Sequence, residues 1–121
     1  MLRVPDPHAA DGWIDLAVVD VVAHGYRLRL VDHAPAFDRA GFYGDPNAGD
    51  YPDNAWRFGL FCRAVLEALR AEGHPLDVLD LHDWHTGPAA IFRDARYADD
   101  AIVGRAAILM TLHNLAYHGW T

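Results

Sequence analysis

Apolar positions in this chain fall into two kinds of run: unbroken stretches, and stretches that repeat every three or four residues. Residues 14–23, IDLAVVDVVA, are β-branched with little alternation. That pattern predicts a buried strand. Gly25-Tyr26 marks a turn, and residues 27–32 then alternate polar and apolar, which predicts a strand with one solvated face. The two would form a hairpin or lie side by side. Residues 1–15, with Pro5, Pro7 and Gly12, read as an irregular start. Trp56, Leu60, Phe61, Ala64, Val65 and Ala68 recur at helical spacing, with Arg57, Arg63, Glu67 and Arg70 mostly off that stripe. This predicts a helix with Asp53 or Asn54 as its N-cap and Gly73 as its C-terminal stop.

Two later stretches share one plan. Residues 76–81, LDVLDL, run straight into His82-Asp83-Trp84-His85, and Thr86-Gly87-Pro88 then opens a helical pattern reaching Tyr97. Thr86 is the predicted N-cap there, and Pro88 is tolerated in a first turn. After a polar connector over residues 94–105, residues 106–112 form a second apolar run, followed by His113-Asn114-Leu115-Ala116-Tyr117-His118-Gly119. Apolar strands leading through polar loops into helices predict an α/β fold with a mostly parallel sheet covered by helices. Ligands of such sheets bind at the carboxyl ends of the strands, which puts the two His-containing loops where chemistry would occur. Residues 33–53 are rich in Pro and Gly, and a connection of that length is usually functional or disordered. Its aromatics Phe37, Phe42, Tyr43 and Tyr51 argue for packing, with Phe42-Tyr43-Gly44-Asp45 near a ligand.

Composition narrows the chemistry. The chain has 121 residues, 52% of them apolar, which suits one globular domain. A formal net charge of −7 argues against nucleic acid or an anionic membrane as partner. No apolar run approaches the roughly 20 residues of a membrane helix, and the N-terminus lacks signal-peptide features, so the cytoplasm is the expected compartment. All ten basic residues are Arg, and the sequence holds neither Lys nor Ser. A phosphate-cradling lysine and a serine nucleophile are therefore excluded. The single cysteine, Cys62, lies within the predicted helix and reads as a buried thiol.

The motifs leave several roles open. His82-x-x-His85 with Asp83 between them could begin a metal site, with His113 and His118 recruited, and a metal-dependent hydrolase would follow. Strand-to-loop spacing does not place both rings on one side, however, and zinc needs three or four ligands, so no metal is expected. Asp83 could grip sugar hydroxyls or support a cationic transition state, or it could cap the next helix. His113 could touch a ligand or be a hydrogen-bonded loop histidine. No complete nucleotide fingerprint is present.

His82-Asp83-Trp84-His85-Thr86-Gly87, followed by Thr111-Leu112-His113-Asn114-Leu115-Ala116-Tyr117-His118-Gly119, resembles the bacterial glycogen synthase and plant starch synthase family. Phe37-Asp38-Arg39, Phe42-Tyr43-Gly44-Asp45 and Asp53-Asn54-x-x-Arg57-Phe58 resemble it in the same order, so the likeness runs over about residues 27–119. It implies an incomplete Rossmann-like domain of a GT-B glycosyltransferase, on the largely acceptor-side half. It also implies retaining transfer of glucose from ADP-glucose to the non-reducing end of an α-1,4-glucan, with the nucleotide sugar as substrate and no further cofactor. Asp83 would help hold the reacting sugar. The His113 backbone carbonyl would stabilise positive charge at the anomeric carbon, with Asn114 beside it. Tyr43 would line the sugar site, and Trp84 would contribute to substrate binding. Asp53, Asn54 and Arg57 match a motif read as structural. The sequence lacks the family's first strand with its Lys-Thr-Gly-Gly-Leu loop and the whole second domain, and His118 stands where Gln is usual. A fragment is therefore expected, with an exposed sheet edge, no catalysis by itself, and at most weak glucan affinity through Tyr43, Trp84 and Tyr117.

Overall fold

The computed structural model describes residues 1–117 and Gly119. In chain order the elements are β1 (Leu2–Pro5), β2 (Trp13–Ala23), β3 (Tyr26–Asp32), α1 (Ala34–Phe37), β4 (Gly44–Asp45), β5 (Gly49–Asp50), α2 (Asn54–Glu72) and β6 (Val78–His82). A single 3₁₀ turn (Trp84–Thr86), α3 (Pro88–Arg96) and β7 (Ala107–Thr111) complete them. β6 and β7 pair in parallel, Val78 opposite Ala107 through His82 opposite Thr111, with α3 as the crossover. The parallel pairing expected for most of the sheet is confined to these two strands. β1, β2 and β3 form a separate antiparallel sheet.

The N-terminus is not irregular. β1 pairs with β2 from Leu2 opposite Leu16 to Pro5 opposite Trp13, and Val4 is fully buried. β2 and β3 are joined by the two-residue loop His24-Gly25, where both φ angles are positive (52° and 80°). That is the type I′ geometry whose twist matches a hairpin. β2 is not the buried strand that its apolar run suggests, since only Leu16 is fully covered and Val22 is 79% exposed. The core against α2 takes in Ile14, Leu16 and Val18, and the hairpin tip extends beyond it.

α2 serves two cores. Leu60 and Ala64 pack with Val4, Leu16 and Ala36, whereas Cys62 and Leu66 pack with Leu79 and Leu81 of β6 and with Ala89, Tyr97 and Val103. Arg57 and Arg63, expected off the apolar stripe, are buried as well. Arg57 donates from Nε to the Ala36 carbonyl (2.6 Å) and from a terminal nitrogen to Asn54 Oδ1 (2.6 Å) and the Phe42 carbonyl (3.1 Å). Arg63 lies 3.8 Å from buried Asp6, whose carboxylate accepts from the Trp56 indole (2.8 Å). Gly73 ends α2 in the left-handed conformation (φ 75°), as expected. Asp53 takes the N-cap position, as expected, its carbonyl accepting from the Arg57 N–H (3.0 Å), but its carboxylate is held by Arg39 at 2.6 and 2.8 Å and makes no capping bond. Cys62 is the buried thiol expected. Burial pushes its pKa up to about 12, and Sγ donates to the carbonyls of His85 and Thr86, each at 3.5 Å.

β3 and β6 each keep one unpaired edge among the described residues. Both strands contribute to the lining of one cavity of about 690 Å³, Arg29 and Leu30 from β3 and His82 from β6, together with Phe61 of α2.

Candidate functional site

The site lies where β6 and β7 end. Beyond His82 the chain turns sharply at Asp83, whose backbone sits at φ 61°, ψ 175°. That region is almost reserved for glycine, so a non-glycine residue there stores strain that the surroundings must sustain. Four contacts sustain it. The Asp83 N–H donates to the Thr111 carbonyl (2.9 Å), and Asp83 Oδ1 accepts from the His113 N–H (2.7 Å). The Thr86 hydroxyl reaches back to the carbonyls of His82 and Asp83, each at 2.9 Å. Thr86 therefore staples the turn instead of capping the helix, and Gly87 takes the N-cap position of α3. The His113 amide holds the Asp83 carboxyl below the usual carboxylate range. Asp83 caps the β7 end, and neither of its carboxylate oxygens is given to α3.

An aromatic group stands beside this turn. The Tyr43 ring is stacked on Trp84 (centroids 5.6 Å apart, 30° between planes), and Tyr117 lies 5.1 Å from Tyr43. The Tyr117 hydroxyl donates to Asp50, which ties the loop after β7 to β5. Tyr43 is fixed from behind, its carbonyl accepting from Asn54 Nδ2 (2.7 Å) and from the Tyr51 N–H (2.9 Å). Its hydroxyl lies 3.1 Å from His85 Nδ1. Burial, then the Asp83 charge, raise the Tyr43 pKa.

The sequence-predicted residues thus meet in pairs, Asp83 with His113 and Tyr43 with Trp84. Asn114 follows His113 in the loop, and its Oδ1 accepts from the Ala116 N–H (2.8 Å), closing its own turn. The two histidines of His82-x-x-His85 diverge. His82 Nδ1 lies 2.8 Å from His113 Nε2 with the rings stacked, while His85 turns inward to Tyr43. Among the described residues no three His, Cys, Asp or Glu side chains converge on a metal position. His118, the remaining candidate ligand, lies outside the described residues.

His85 has a role that spacing did not suggest. Its ring packs against Phe42, Tyr43, Phe58 and Trp84. Burial lowers its pKa from 6.5, with Asp83 opposing that shift. A depressed histidine pKa means that the unfolded chain takes the proton first. Its contribution to stability is complete above about pH 6.5 and is lost as pH falls through the folded value. The melting temperature should drop across that acid interval, and His85→Phe should flatten the drop. An equal acid slope in both proteins would contradict the assignment.

A profile of the starch synthase catalytic domain matches residues 3–121. The chain belongs to this family. It is 44% identical over 90 residues to glycogen synthase 2 of Geobacter sulfurreducens, covering 74% of this chain and 18% of that protein. It is 41% identical over 95 residues to the glycogen synthase of Koribacter versatilis, covering 78% and 19%. Its fold is similar to the catalytic domain of starch synthase IV from Arabidopsis thaliana, solved with ADP and acarbose, with a TM-score of 0.80, 26% identity, and coverage of 98% of this chain and 22% of that one. The α/β architecture is accordingly a partial Rossmann-like domain of the GT-B type, spanning about a fifth of its relatives' length. No helix among the described residues is long and apolar enough to cross a membrane.

Proposed function

We propose that this chain forms the sugar-holding side of a glycogen synthase active site, which transfers glucose from ADP-glucose to the non-reducing end of an α-1,4-glucan with retention of configuration. One observation carries the reading: a strained aspartate at a parallel strand end, bonded to the backbone of a histidine at the next strand end, beside stacked aromatic rings. Asp83 supplies a charged acceptor for sugar hydroxyls. The fixed position of His113 would aim its carbonyl toward developing positive charge, and preorganised dipoles of that kind stabilise a transition state without reorganising. Tyr43 and Trp84 offer flat apolar faces with few polar groups, the usual make-up of a small-ligand site. Asn114 sits beside His113, where it could complete the sugar contacts. The donor nucleotide and the remaining half of the cleft would be held by parts of the fold outside residues 1–121. The acarbose in the plant relative's structure supports an oligosaccharide as ligand.

Positioning both substrates supplies much of such a rate, so the 121 residues assayed alone should bind maltooligosaccharide weakly and transfer no glucose. Radiolabelled ADP-glucose with glycogen measures transfer, and tryptophan fluorescence with acarbose measures binding. Glucosyl transfer by the purified chain would overturn the division of labour. Absence of any sugar-dependent signal would overturn the site.

A further inference from the structure

Resting on the sugar-site reading above, we propose that His85 is a positioning residue that locks the Tyr43 phenol in place and thereby fixes the aromatic face offered to the sugar. Tyr43 is held at two points. Its backbone carbonyl is anchored by Asn54 and Tyr51, and its hydroxyl lies within hydrogen-bond distance of His85 Nδ1. The first anchor fixes where the residue starts, and the ring beyond it is packed by Phe42, Phe58, Trp84 and Tyr117, contacts that fill space without fixing the hydroxyl's direction. The second fixes where the ring ends. Among the described residues His85 is the hydroxyl's hydrogen-bond partner, and it is itself immobilised. Four aromatic rings surround it, and its backbone carbonyl accepts from Cys62 in the core. A rigid second group that holds a ligand-facing one is how binding geometry is kept within a fraction of an ångström. His85 meets this description and is placed behind Tyr43, so it acts through that ring.

The test compares His85→Phe, which keeps an aromatic ring and removes the nitrogen, with His85→Asn, which sacrifices packing and returns a polar atom near Nδ1. Acarbose affinity of the whole 121-residue chain is measured for each, beside its melting temperature. Loss of one hydrogen bond of ordinary strength corresponds to about fivefold in affinity. His85→Phe should therefore weaken binding by up to about fivefold and melt somewhat lower, and His85→Asn should melt lower still yet bind more tightly than His85→Phe. A purely structural role would order affinity by melting temperature, and that order would overturn the inference, as would undiminished binding by His85→Phe. A second readout does not depend on sugar. The nitrogen resonances of the His85 ring should shift when Tyr43 is changed to Phe, and an unmoved Nδ1 resonance would refute the contact. If the unaltered chain shows no affinity for acarbose, the site reading fails, and the nitrogen resonance still decides whether His85 holds Tyr43.

Discussion

Changing Asp83 to Gly should raise the melting temperature while weakening sugar binding at least tenfold. The backbone at φ 61°, ψ 175° is one that glycine occupies freely and aspartate does not. What the side chain returns in stability is the bond it accepts from the His113 N–H, with the Asn114 amide also favouring its charge, in an exposed setting where water can replace both. Relief of strain should therefore exceed the loss. Binding should behave oppositely, falling at least tenfold, because the charged acceptor for sugar hydroxyls disappears. Asp83→Asn separates the two effects, since asparagine can keep an oxygen toward His113 and removes only the charge. Paired thermal melts and acarbose titrations settle the matter. A lower melting temperature for the glycine variant would show that the turn is not strained. Retained affinity would show that Asp83 holds no sugar. Sites built for function commonly show this opposition of stability and activity.

The second large effect is expected far from any sugar. Arg57→Ala should cost about 3 kcal/mol of stability, the scale of losing several charge-assisted bonds from a buried group. The guanidinium joins α1, the Phe42 loop and the first turn of α2, and it lies over the rings of Tyr51 and Phe58 at 5.0 and 5.3 Å. Removing it leaves two carbonyls and the Asn54 side-chain oxygen to find other partners. A domain of this size typically has about 5–15 kcal/mol in total, so the melt should broaden or shift by many degrees. Asn54 also holds the Tyr43 carbonyl, so the damage should reach the aromatic stack. Arg57→Lys should rescue little, because one ammonium cannot span three acceptors in a plane. Chemical denaturation of the three proteins measures this, and a loss below about 1 kcal/mol for Arg57→Ala would refute the clamp.

The parallel unit was readable because its signals are local. An apolar strand, a polar loop and a helix follow one another within residues 76–97, and strand-end placement then pointed to Asp83 and His113. What escaped was set by distant partners. β1 is four residues long and contains Pro5, too short to display a period, and it exists because residues 13–16 pair with it. Arg57 and Arg63 were placed off the apolar stripe because charge predicts solvent; carbonyls 15 and 21 residues away, and Asp6, give them a buried place. The side chains of Asp53 and Thr86 had the right chemistry to cap helices, but Arg39 claims the first and the strained turn claims the second. Spacing already argued against His82 and His85 as a ligand pair, but it carries no sign of the role of His85, because its partner Tyr43 lies 42 residues upstream.

One consequence of the architecture concerns the order in which the molecule comes apart. The β1–β3 sheet and the β6–β7 pair do not hydrogen-bond to each other among the described residues, and the cores beneath them share α2. Neither core can persist once that helix melts, whereas the hairpin tip around His24 can fray with no effect on it. Amide exchange should therefore form a hierarchy. Protons at the tip of β2 and β3 should leave fastest. Those of β1 and β6 should leave together, at a rate no slower than the middle of α2, near Leu60 to Leu66. The sugar-holding turn, stitched to β6 and β7, would then be lost as suddenly as the helix that backs it.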